Sequence, residues 1–379
     1  MRLDGLWLND PGARRLMALL DAAGHRALFV GGCVRNAALG IAVDDIDIAT
    51  DALPARVTDL AEAEGFRVLP TGLDHGTVTV LGPRPLEVTT FRKDVETDGR
   101  RAVVAFCADV AEDAARRDFT MNALYAKADG TLVDPLGGWP DLMARRVRFV
   151  GDARQRIEED YLRILRYFRF HAWYGDPSGG LDAEALAACA ASADGLARLS
   201  AERVGREVVK LLAAPDPAPS VAAMGQSGIL SRVLPGADAV HLAPLVHLEG
   251  VLGVAPDPLR RLASLGGDPG GLRLSRKDRR ALDTLRHAIA GGAGASELAW
   301  RLGRETARDV ELLRAAAFGA PLPADLDARL DRGAEAVLPV SGADLTGRHA
   351  GREIGARLAE LERRWIDSGF TLSRDDLLS

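Results

Sequence analysis

Hydrophobic positions change their period along the chain, and each change predicts an element. Residues 10–24 predict a helix, with Asn9 or Asp10 as its cap, Pro11 in its first turn and Gly24 as its stop. A short apolar run, Ala27–Val30, predicts a buried strand that breaks at Gly31-Gly32. Residues 33–39 then predict a helix ended by Gly40. In Asp45-Ile46-Asp47-Ile48 polar and apolar residues alternate. On a strand this puts both carboxylates on one face and both isoleucines in the core. Residues 54–64 predict a second helix, begun by Pro54 and ended by Gly65. Residues 76–82 and 86–91 predict adjacent strands across Gly82-Pro83. These elements make an α/β head with a small mixed sheet, closing near Gly138.

Residues 92–108 begin polar, contain Asp98-Gly99 and predict a solvated loop. Residues 158–170 predict one helix, in which Leu162, Leu165 and Phe168 recur every third position, as do Asp160, Arg163, Arg166 and Arg169. After residue 175 the pattern is helical and rich in Ala, Leu and Arg, with a linker or break at 215–219. The predicted architecture is an α/β head followed by all-α segments.

Composition narrows the class. The 379 residues are 47% hydrophobic and 27% charged, as in a globular protein of two or more domains. No apolar run approaches the ~18 residues of a membrane span, and the N-terminus has no signal-peptide core. The three cysteines, Cys33, Cys107 and Cys189, are scattered, which predicts a reducing compartment, the cytoplasm. A net charge of −6 speaks mildly against nucleic acid, but arginines cluster at 154, 156, 163, 166 and 169.

Three stretches carry chemistry, the first of them residues 27–50. Gly31-Gly32 lets a ligand approach the backbone ahead of a helix, a seat for phosphate at Gly32. Asp45 and Asp47, on one strand face, suit a divalent metal, Mg²⁺. Arg116-Arg117-Asp118-Phe119-Thr120-Met121-Asn122-Ala123-Leu124 sets guanidinium groups, which bind phosphate in a fork, before an apolar helix. In Glu159-Asp160-Tyr161-Leu162-Arg163, an acceptor (Asp160) beside a donor (Arg163) complements the pairing edges of cytosine and adenine and leaves uracil and guanine unpaired. Each unpaired buried group costs about 1–3 kcal/mol.

In order and type these three stretches resemble the class II tRNA CCA-adding enzymes and bacterial poly(A) polymerases, within the DNA polymerase beta superfamily. One departure is visible: the family's first motif usually ends Arg-Asp, and here it is Arg35-Asn36. The resemblance implies catalysis and metal binding at Asp45 and Asp47. It implies nucleotide binding by Gly32, Arg35, Arg116, Arg117, Asp160, Arg163, Arg166 and Arg169. Glu87, on the strand at 86–91, is a candidate third carboxylate, left outside the site on sequence alone. The resemblance also implies a flexible loop at 92–108 that helps switch nucleotide, a feature absent from CC-only enzymes.

The implied activity is template-independent addition of CCA to the 3′ end of tRNA from CTP and ATP. The implied partner is tRNA, held at its 3′ end and elbow, with no protein partner. The implied segments are a catalytic head (1–138), a base-selecting neck (139–205), a body (206–290) and a tRNA-binding tail (291–379). The rivals are a poly(A) polymerase, a partial A-adding or CC-adding enzyme, and an inert RNA-binding relative. A P-loop kinase is disfavoured because no Gly-Lys-Ser/Thr motif occurs. The four histidines 241, 247, 287 and 349 form no constellation, and no His-Asp pair suggests an added phosphohydrolase domain.

Overall fold

The structure, a computed structural model, describes residues 1–97, 102–346 and 349–379. The chain divides into two compact units, Met1–Val233 and Leu234–Ser379.

The first unit opens with α1 (Pro11–Ala22), β1 (Ala27–Val30), α2 (Gly32–Ala38), β2 (Ile46–Thr50) and α3 (Pro54–Ala63). The strands β3 (Arg67–Gly72), β4 (Thr77–Leu81), β5 (Pro85–Thr90), β6 (Arg92–Thr97) and β7 (Ala102–Phe106) come next. After α4 (Val110–Ala115) come the short strands β8 (Tyr125–Ala126) and β9 (Leu132–Val133). Seven strands form one sheet in the order β3-β4-β5-β2-β1-β8-β9, and β6 and β7 pair separately. Only β2 and β5 run parallel in the large sheet, so it is mixed as the alternation implied.

Local chemistry explains the ends of these elements. Asp10 caps α1 by accepting from the Ala13 amide at 2.9 Å, and Pro11 opens its first turn. Gly31 joins β1 to α2 at φ 69° and ψ −118°, a conformation an L side chain rarely adopts. Ile46 and Ile48 are buried beneath the sheet, and with Phe29 and Val88 they make β2 a rigid central strand.

The head then passes into helices: α5 (Trp139–Met143), α6 (Ala153–Glu159), α7 (Leu162–Tyr174), α8 (Ala183–Ala191), α9 (Ala201–Leu212), α10 (Ala218–Gln226) and α11 (Ile229–Val233). A chain of aromatic rings ties α7 to the head. Phe119 packs 5.0 Å from Phe149 and 4.9 Å from Phe170, and Phe149 stacks on Tyr167 at 5.6 Å.

Three expectations need correction. The helix expected over 158–170 is broken: Asp160 is extended (φ −154°, ψ 104°) and separates α6 from α7. Its Oδ1 accepts from the Leu162 amide at 3.1 Å, so the carboxylate does what Asp does best, bonding nearby backbone in place of a helical turn. The stretch after Arg116-Arg117-Asp118 is one 3₁₀ turn, Thr120–Asn122, and not an apolar helix. The loop expected at 92–108 is largely the β6–β7 pair. Asp98-Gly99 lies outside the described residues.

The second unit is helical: α12 (Leu242–Val251), α13 (Pro258–Leu265), α14 (Arg276–Ala290), α15 (Ala295–Leu302), α16 (Arg304–Phe318), α17 (Leu326–Glu335), α18 (Arg352–Asp367) and α19 (Arg374–Leu378). Glu249 on α12 is 2% exposed and accepts from Arg260 at 2.8 Å and Arg261 at 2.7 Å, both on α13. Arg260 also reaches Asp309 on α16 at 2.7 Å. Near the C-terminus Trp365 packs edge-on against Trp300 and Phe370 in a second core. Among the described residues no helix is long and apolar enough to cross a membrane.

Candidate active site

The sheet register builds the acidic part of the site. Asp47 on β2 lies opposite Glu87 on the parallel strand β5. Both project from the face opposite Ile46, Ile48, Leu86 and Val88, all of them buried. Asp45 sits one residue before β2 and is exposed. Burial pushes the Asp47 carboxyl up to about 6, with Glu87 and Asp45 adding like-charge repulsion, while Arg117 and Arg35 oppose the rise. Four of the residues named from sequence therefore share one electrostatic neighbourhood. Glu87 joins them through strand pairing, which no local motif reports. Among the described residues no three His, Cys, Asp or Glu side chains converge closely enough to hold a metal ion.

The glycine turn brings in two arginines. A Cβ on Gly31 would stand 3.3 Å from Arg117 Nη1, and one on Gly32 would stand 3.8 Å from Arg35 Nη2. Arg117 donates to Asp113 at 3.1 Å and to the Tyr125 hydroxyl at 3.0 Å. Burial would lower its pKa, but Tyr125 and Asp113 outweigh that and raise it. Arg116 approaches Asp113 at 4.0 Å. Arg35 donates to Asn122, to Asn36 at 2.9 Å and to the Tyr174 hydroxyl at 2.8 Å, and it stacks 3.9 Å over the Tyr174 ring.

The arginines of α7 are held by carboxylates. Arg166 binds Asp118, whose other oxygen accepts from Asn122 at 2.8 Å and from the Phe119 amide at 2.8 Å. Burial alone would raise the Asp118 pKa, yet Arg166 and these bonds bring it down to about 2. Arg169 donates to Glu207 of α9 at 2.6 Å. Arg163 donates to Glu159, to the Arg156 carbonyl at 2.6 Å and to the Arg116 carbonyl at 3.3 Å.

Asp160 and Arg163 are thus not partners of each other. Asp160 takes Arg203 of α9 at 2.7 Å. Ser200 caps α9 by accepting from the Arg203 amide. No motif in the sequence marks Arg203 as the partner of Asp160. The three sequence stretches nevertheless interlock: Arg35 bonds Asn122, Arg166 bonds Asp118, and Arg163 bonds the Arg116 carbonyl.

A mixed sheet that sets carboxylates side by side next to a glycine turn and a cluster of arginines defines a nucleotidyltransferase head. Residues 27–148 match the family model described as the poly A polymerase head domain, and residues 180–240 match "Probable RNA and SrmB- binding site of polymerase A". The mitochondrial CCA tRNA nucleotidyltransferase 1 of Mus musculus is 36% identical over 396 residues, covering 98% of this chain and 90% of its own. The CCA-adding enzyme of Lacticaseibacillus paracasei is 41% identical over 219 residues, 57% of this chain and 53% of its own. The crystal structure of the Bacillus stearothermophilus CCA-adding enzyme in complex with CTP superposes with a TM-score of 0.71 at 30% identity, covering 94% of this chain and 93% of that one. The chain belongs to the CCA tRNA nucleotidyltransferase family.

Proposed function

We propose that the protein adds CCA to the 3′ end of tRNA from CTP and ATP, without a nucleic-acid template and with release of pyrophosphate. The observation that carries this is the similarity to a CCA tRNA nucleotidyltransferase across 98% of the chain, neck and helical region included. Asp45 and Asp47 would hold Mg²⁺. Burial, and after it like-charge crowding, raises the Asp47 pKa, and a divalent cation would relieve the crowding, so the donor set fits. Such an ion supplies acidity to the RNA 3′-hydroxyl and polarises the α-phosphate.

The chain's own groups do the rest. Gly32 leaves room for the triphosphate to approach the backbone, and Arg35, Arg116 and Arg117 offset its charge. Asp160 and Arg163 present an acceptor and a donor to the pairing edge of C or A, with Arg166 and Arg169 in support. In this reading residues 1–138 catalyse, 139–205 select the base, 206–290 form a body, and 291–379 hold the tRNA elbow by shape and phosphate contacts. Three free cysteines suit a reducing compartment, and we place the protein in the cytoplasm.

The match to a poly A polymerase head domain favours one second reading, poly(A) synthesis. A tRNA lacking its last three nucleotides separates the two. Growth by two with CTP alone, and by three and no further with CTP and ATP, establishes CCA addition. Long tails from ATP alone establish poly(A) synthesis, and CTP addition that never accepts ATP would reduce the activity to CC addition.

A further inference from the structure

Arg35 is a buried cation on which Asp118 and Asp47 act only through space, with no carboxylate among the described residues in direct contact. It is 6% exposed, and every group that binds it is neutral: Asn36, Asn122, the Tyr174 hydroxyl, and the faces of Tyr174 and Phe170. Among the described residues no carboxylate comes within ion-pair distance of it. Its neighbours differ, since Arg117, Arg163, Arg166 and Arg169 each meet Asp113, Glu159, Asp118 or Glu207. A buried charge without a counter-ion is expensive, and its cost falls when an anion arrives.

Asn36 holds this arrangement. Its Oδ1 accepts from Arg35 Nε at 3.2 Å and Nη2 at 2.9 Å, while its Nδ2 donates to the Ala42 carbonyl at 3.2 Å. The amide can face only one way. Turned over, it would set hydrogen against the guanidinium hydrogens and oxygen against the Ala42 oxygen. A carboxylate here would bind Arg35 as a charge-assisted pair and would also face the Ala42 carbonyl with a second acceptor. Asn36 supplies the hydrogen bonds without the charge, and its other arm fixes residue 42, three positions before Asp45.

We propose that Asn36 bonds the Arg35 guanidinium beside Gly32 without neutralising it, and so leaves its charge free for the polyphosphate of a nucleoside triphosphate. The inference rests on the functional reading above. The order of effects follows from charge. Asn36→Asp introduces a counter-ion, whereas Asn36→Ala removes both bonds and leaves Arg35 held by Asn122 and Tyr174.

Calorimetric titration of the full chain with inorganic tripolyphosphate, alongside steady-state kinetics on the truncated tRNA, tests this. Asn36→Asp is expected to weaken tripolyphosphate binding about fivefold and to raise KM for CTP and ATP by the same factor, with kcat held within about twofold. Asn36→Ala is expected to stay within about twofold of wild type for tripolyphosphate. Unchanged binding in Asn36→Asp, or equal losses in both variants, would overturn the inference. A wild-type protein that binds tripolyphosphate but extends no tRNA would overturn the functional reading and leave this one standing.

Discussion

Arg203 donates to Asp160 Oδ2 at 2.7 Å across 43 residues of chain, while Oδ1 of the same carboxylate caps Leu162. Both oxygens are therefore oriented by the protein itself, and under the proposed function each keeps a lone pair for the amino group of a base. Replacing Arg203 by Ala removes one of the two restraints. We expect incorporation of UTP or GTP relative to CTP to rise about tenfold, with partial recovery in Arg203→Lys. The pair is about 30% exposed, so stability should fall by less than about 1 kcal/mol. Single-nucleotide incorporation assays read the ratio, and an unchanged ratio would mean the bond only joins two helices.

Asp47 predicts an inversion between stability and activity. Its folded pKa, about 6, lies above the unfolded value, so ionised Asp47 destabilises the metal-free fold above pH 6, and the cost fades as pH falls towards 4. Asp47→Asn should therefore stabilise the metal-free protein at pH 7.5 by about 2 kcal/mol and show no advantage at pH 4.5. The same variant should lose stabilisation by Mg²⁺ and all nucleotide addition. Thermal melts with and without Mg²⁺ at both pH values provide the comparison.

Asp118 behaves in the opposite sense. Its folded pKa of about 2 lies below the unfolded value, so its contribution is complete above pH 4 and disappears as pH falls through 2. That contribution is about 2 kcal/mol. Asp118→Asn leaves Arg166 without its carboxylate, and urea unfolding at pH 7 should show a loss of roughly 3 kcal/mol. The difference from wild type should narrow between pH 4 and pH 2. A constant difference over that range would assign the effect to shape alone.

Glu249 predicts a fault confined to the second unit. Glu249→Ala leaves Arg260 and Arg261, 2% and 1% exposed, without the carboxylate they share. The loss should reach about 3–5 kcal/mol. Scanning calorimetry should show a transition of Leu234–Ser379 moving down while the head retains its own. Equal destabilisation of both units would contradict this.

The head was legible from sequence because its signals are local. Pro11, Gly24, Gly31-Gly32 and Pro54 punctuate the chain where elements begin and end, and the alternation around Ile46 and Ile48 specifies a strand buried on one face. What the motifs left open depends on long-range pairing. Glu87, a candidate from sequence, is set beside Asp47 only by the parallel register with β2, and Arg203 needs the packing of α9 on α7. The break at Asp160 was misread for another reason. A three-residue recurrence of Arg163, Arg166 and Arg169 continues smoothly back to Asp160 on paper, while an Asp just before a periodic apolar run is also a helix-start signal.

That break changes what kind of ruler the neck carries. On one continuous helix, Asp160 and Arg163 would be fixed about a turn apart, a spacing no motion short of unwinding could alter. With Asp160 seated in a joint instead, its carboxylate is pinned to α9 on one side and to the first turn of α7 on the other, so the direction it faces is set by how those two helices pack and not by the pitch of a single one.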